Sequence, residues 1–83
     1  MVKSALTYRT ECEQIRKNLS TIRFNMDLFK MLQNIEKMVS ELGKLETECR
    51  HQTKQYRLEE PSIKIAKSID HLQKLILMAK LMD

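Results

Sequence analysis

Residues 5–29 read ALTYRTECEQIRKNLSTIRFNMDLF. Within them Ala5, Tyr8, Cys12, Ile15, Leu19, Ile22, Met26 and Phe29 recur at alternating steps of three and four, the seam of a heptad helix. Beside the seam Arg9, Arg16, Arg23, Lys30, Lys37 and Lys44 stand seven residues apart, with His51 next in the row. An apolar stripe flanked by one column of like charge points to a partner surface rather than to a catalytic pocket.

Beyond Phe29 the strict heptad would reach Gln33 and Glu36, both polar. The apolar line steps instead to Leu28, Leu32, Ile35, Val39 and Leu42, with Met31, Met38 and Leu45 beside it, and Cys49 and Tyr56 carry it weakly onward. Such a step is a stammer in a continuous helix or the place where a helix breaks. The stretch Asn18 to Asp27 holds Ser20, Thr21, Ile22, Phe24 and Asn25, the poorest helix formers nearby. Residues 4–58 are therefore expected as one long helix or as two, with a kink or break near 19–26. No Pro falls in that span, and Gly43 inside it costs about 1 kcal/mol relative to Ala.

The clear boundary is Leu58-Glu59-Glu60-Pro61-Ser62, read as a turn over 59–61 followed by a C-terminal helix over 62–82. Pro61 suits a first turn, where its missing N–H is harmless, and acidic residues there favour the helix dipole. Ile65, Ile69, Leu72, Ile76 and Ala79 form the apolar stripe of that helix, widened by Ala66, Leu75 and Met82. Acid-first pairs four residues apart support helix throughout: Glu13–Lys17, Glu46–Arg50, Glu60–Lys64 and Asp70–Lys74.

Lengths sharpen the topology. An unbroken helix over 4–58 would span about 80 Å, while 62–82 reaches only about 31 Å. Either the long segment folds in two, giving a three-helix bundle, or its N-terminal half pairs with another chain. The clean heptad of residues 5–29 favours the second. The fold class is all-α, one domain over residues 1–83: an antiparallel helical hairpin or three-helix bundle with coiled-coil-like packing. Its hairpin should rest on Leu32, Ile35, Val39, Leu42, Ile65, Ile69, Leu72 and Ile76.

Composition agrees. Eighty-three residues with one Gly, one Pro and no Trp, 42% hydrophobic and 31% charged, are too apolar for a disordered tail. Ile63 to Met82 is the most hydrophobic stretch, but Lys64, Lys67, Asp70, Lys74 and Lys80 interrupt it, so no membrane span is expected. Met1 to Thr7 lacks the pattern of a secretory signal, and Asn18-Leu19-Ser20 is read as a chance sequon. Two cysteines 37 positions apart are no disulfide framework, so the expected location is intracellular, cytoplasmic or nuclear.

Catalytic and metal chemistry find no footing. Cys12, Cys49, His51 and His71 have no metal-ligand spacing, and Cys49 and His51 point about 200° apart on a helix. The cysteines read as small apolar seam residues, although Cys12 of two parallel chains could meet and oxidise. Ser68, Asp70 and His71 lie on one regular helix and cannot converge as a triad. With Gly43 the single glycine, no phosphate-cradling loop exists. No enzyme activity, metal or cofactor is expected.

The charge column says more. With Ala5 at a, the basic residues fall at e, while the g flank holds Glu11, Asn18 and Asn25. That asymmetry fits a partner with an acidic row better than a self-pair. The expected role is a non-catalytic helical protein–protein interaction module: an assembly subunit, adaptor, or small chaperone or regulator. Its partner, another protein or its own copy, would meet Tyr8, Arg9, Ile15, Arg16, Leu19, Ile22, Arg23, Phe29 and Lys30. One alternative is nucleic-acid binding through the basic column, where residues seven apart lie about 10.5 Å apart. Interleaved Glu11, Glu13, Asp27, Glu36 and Glu41 oppose it. Another is a monomeric three-helix bundle whose C-terminal helix lies on a membrane surface.

Overall fold

The computed structural model describes residues 3–22, 26–52 (side chains to 48) and 58–82. Three helices follow one another: α1 over Ala5–Ser20, α2 over Met26–Gln52 and α3 over Glu59–Met82. The helices pack on one another, α1 antiparallel to α2 and α2 antiparallel to α3. The result is an all-α three-helix bundle 49 Å long and 17 by 16 Å across.

The start of α1 is doubly capped. Ser4 holds an extended conformation, and its Oγ accepts the Thr7 N–H at 3.3 Å. Glu46, far along α2, reaches over to accept the Ala5 N–H at 2.9 Å. These two acceptors satisfy donors that no helix can satisfy from within. The end of α1 is as local. Thr21 and Ile22 donate their N–H groups back three residues, to the carbonyls of Asn18 and Leu19 at 3.2 and 3.4 Å. The Ser20 and Thr21 hydroxyls donate to the carbonyls of Lys17 and Asn18 at 2.6 and 2.7 Å. Tightened bonds and hydroxyl donors answer the orphan carbonyls, so the helix stops where its weakest helix formers begin.

The helix therefore breaks between Ser20 and Met26, ahead of the step of the apolar seam, and the first seam turns inward. Ala5, Tyr8, Cys12, Ile15 and Ile22 join Leu28, Leu32, Ile35, Val39 and Leu42 of α2 and Ile65, Ile69, Leu72 and Ile76 of α3 in one core. Of the two topologies left open, the three-helix bundle is the one seen, and the free-energy gain of burying that seam is met within the molecule. All eight residues expected to carry the hairpin are buried. One correction concerns α3, which begins at Glu59 and takes in the three residues expected as a turn. Pro61 sits inside its first turn, where no N–H partner is available in any case.

Gly43 lies in mid-α2 against α1. A Cβ there would stand 3.4 Å from Arg9 Nη2 and 3.7 Å from the Ala5 Cβ. Only the tip of a flexible side chain would have to yield. Gly43→Ala should thus stabilise the bundle by about 0.5–1 kcal/mol, because alanine loses less backbone entropy in a helix. In thermal melting followed by circular dichroism this is a rise of roughly 4–8 °C per kcal/mol. A fall in melting temperature would show that α1 and α2 need the space that a methyl group would fill.

Candidate functional site

The heptad that suggested docking divides in two once the chain folds. Tyr8, Ile15 and Ile22 are buried, and Leu19 and Phe29 are half-buried against the core or its edge. In this conformation they face the chain's own helices. Arg9, Arg16 and Lys30 remain exposed, while Arg23 lies outside the described residues, as do the side chains of Cys49, His51 and Tyr56. Met26, also on the seam, is exposed.

The acidic row that the basic column called for is partly supplied by α2. Arg16 Nη2 lies 2.7 Å from Glu36 Oε1, and its guanidinium stacks 5.4 Å from the centre of the Phe29 ring. Arg9 reaches over Gly43. Lys30, Lys37 and Lys44 take a different direction, since they stand opposite the buried Leu28–Leu42 stripe and point out from the bundle. One linear column thus becomes two surfaces, a rim between α1 and α2 and a lysine row on the back of α2.

Tyr8 does a structural task. Its hydroxyl donates to the Ser62 carbonyl at 3.1 Å and pairs with Ser62 Oγ at 2.8 Å, joining the starts of α1 and α3 inside the core. Ser62 is the buried polar residue of the bundle, and each hydroxyl satisfies the other. Lys3 lies 5.9 Å from the Tyr8 ring centre and 3.0 Å from Glu11, sealing that end from outside.

Cys12 does not face outward to meet a copy of itself. It is buried, and that burial, with lesser help from Glu36 and Glu11, pushes its thiol from 9.0 up to about 11. A protonated, enclosed thiol is a poor nucleophile and metal ligand. Among the described residues no group of three or more His, Cys, Asp or Glu side chains could hold a metal ion. Ser68 donates its hydroxyl to the Lys64 carbonyl at 2.9 Å, a bond within its own helix.

Two open grooves run between helices. One, of about 260 Å³, lies between α1 and α2 and is lined by Arg9, Cys12, Glu13, Glu36 and Val39. The other, of about 330 Å³ between α2 and α3, has Met38, Leu42, Leu45 and Pro61 among Glu41, Glu60 and Lys64.

Among the described residues, most of the exposed large hydrophobic side chains belong to α3. Ile63 is 55% exposed, Leu77 60%, Met78 57%, Leu81 79% and Met82 85%. Tyr8 lies level with Ser62, so α1, running beside α3, ends at Ser20 about level with residue 74. The exposed apolar side chains of α3 lie away from the buried stripe of Ile65, Ile69, Leu72 and Ile76, on the side of α3 that neither α1 nor α2 covers. Periodicity alone did not separate these residues from the core stripe, because α3 is apolar on both sides. No described helix is long and apolar enough to cross a membrane. No family model matches the chain, and no curated protein or solved structure is significantly similar to it.

Proposed function

We propose that this chain is a non-catalytic helical protein–protein interaction module whose docking surface is the outward face of α3, with the exposed arginines of α1 outside that contact, on the rim between α1 and α2. The observation that carries this reading is the set Ile63, Leu77, Met78, Leu81 and Met82, exposed on a bundle whose core is already filled. Leu77, Met78, Leu81 and Met82 are neighbours on the last turns of α3, and exposed apolar side chains clustered in this way mark a surface meant to be covered. Lys74 and Lys80 border that cluster, and Ile63 stands apart from it beyond Lys67, Asp70 and Lys74. The burial of Tyr8, Ile15 and Ile22 moves the proposed contact away from residues 5–29.

Crosslinking in the native cell tests this. The variant Leu77→Lys/Leu81→Lys should retain its melting temperature, because both positions are exposed, and lose its crosslinked species. An unchanged crosslinking pattern would refute docking through α3. The lysine row of α2 is the feature that speaks for nucleic acid. If that reading held, duplex DNA would bind with an affinity falling steeply as salt rises, and Lys37→Glu would weaken it.

A further inference from the structure

Helix α3 carries a second seam that the bundle does not use. Ile63, Lys67, Asp70, Lys74, Leu77 and Leu81 follow one another at steps of four, three, four, three and four. All six are exposed, on the side opposite the buried stripe of Ser62, Ile65, Ile69, Leu72 and Ile76. Apolar residues hold the two ends of this exposed line and charged residues its centre, an arrangement that admits a second helix only where the charges are matched.

The order of residues along this seam reads as its own complement when reversed about Leu72. Ile63 and Leu81 are equidistant from that point, and so are Lys67 and Leu77, and Asp70 and Lys74. In an antiparallel pair of helices each a position faces a d position of its neighbour. Ile63 would then face Leu81 of the second copy, and Asp70 would face Lys74 of the second copy. Two-fold symmetry makes each contact twice. A parallel pair would instead set Asp70 against Asp70, Lys67 against Lys67 and Lys74 against Lys74, three repulsive layers.

We propose that the outward face of α3 binds the same face of a second copy of this chain, antiparallel about a two-fold axis at the level of Leu72. It rests on the reading of α3 as the docking surface and names the occupant. Within one chain Asp70 and Lys74 already make a 3.1 Å ion pair with side chains 65% and 72% exposed, so both carry their charge on the surface that would meet the copy. Apolar contacts at the two ends supply the burial, and the central charges set direction and register. The Lys67 stem covers Leu77 of the copy while its ammonium reaches water. A lipid surface suits this face less well, because the Asp70–Lys74 pair lies between Ile63 and Leu77 and would have to enter the apolar layer with them.

Sedimentation equilibrium on the full chain, from about 1 µM to about 500 µM, tests the proposal. The mass should rise from one chain to two. Lys74→Asp, which sets Asp against Asp at both central layers, should raise the dissociation constant at least about tenfold. The charge exchange Asp70→Lys/Lys74→Asp should restore pairing, because it is self-complementary again. Circular dichroism at the lowest concentration checks that each variant is folded. A monomer at every concentration overturns the proposal, and so does pairing indifferent to Lys74→Asp or not restored by the exchange. Phosphatidylserine vesicles that retain a wild type unable to self-associate would also overturn it and assign the face to a membrane. If self-association fails while Leu77→Lys/Leu81→Lys still removes crosslinked partners in the cell, the docking reading survives without the second copy. If both fail, neither stands.

Discussion

Leu32→Ala should destabilise the bundle by about 2–5 kcal/mol, the range for truncating a fully buried leucine. Leu32 is 0% exposed and lies in α2, the one helix packed antiparallel against both others. Removing three carbons there forfeits transfer free energy and leaves a cavity that three helices cannot all close upon. For a chain of this size total stability is about 4–12 kcal/mol. Urea denaturation followed by circular dichroism should show a much lower midpoint with an unchanged slope. Leu6→Ala is the control: Leu6 is 70% exposed, and its replacement should alter stability by no more than about 0.5 kcal/mol. Equal effects at the two positions would contradict the packing of α2 described here.

Tyr8→Ala should be comparably damaging, at about 3–5 kcal/mol, because it empties a buried aromatic site at the junction of α1 and α3. The informative variant is Tyr8→Phe. It keeps the ring in place and strips Ser62 Oγ of its partner, at an expected cost of about 1–3 kcal/mol. Ser62→Ala in the same background should add little, since no buried hydroxyl then remains unpaired. The four chemical melts form a cycle whose coupling reads the clamp directly. Strict additivity would mean that the two hydroxyls do not meet. Of the three helix pairs α1 and α3 touch least, so this clamp fixes much of their register.

Much of this architecture is readable along the chain. The apolar line of Leu32, Ile35, Val39 and Leu42 and that of Ile65, Ile69, Leu72 and Ile76 carry the helical period through long segments, and both are buried in full. The poor helix formers between Asn18 and Asp27 mark the break between α1 and α2, and Ser20 and Thr21 supply the hydroxyls that end the first helix. What misled the reading was ownership. A heptad stripe requires a helical neighbour but contains nothing to show whether that neighbour lies on the same chain. Arg16 likewise announces an acidic partner, and Glu36, twenty residues on, answers it. The start of α3 was placed three residues late because proline and two glutamates suit a turn and a first helical turn equally well.

Sequence by itself determined that this protein is helical and which residues of α2 and α3 are inside, and it marked 19–26 as the weak stretch without deciding whether the helix breaks there, because period, propensity and capping act over a few residues. Tertiary structure alone decided which apolar stripe the molecule consumes and which it leaves outside. Folding α1 onto α2 and α3 buries the stripe from Ala5 to Ile22, and turning the Ile65–Ile76 stripe of α3 inward leaves Leu77, Met78, Leu81 and Met82 on its uncovered side. Those outcomes depend on the relative lengths and directions of three helices, a property of the assembled bundle that no single segment carries.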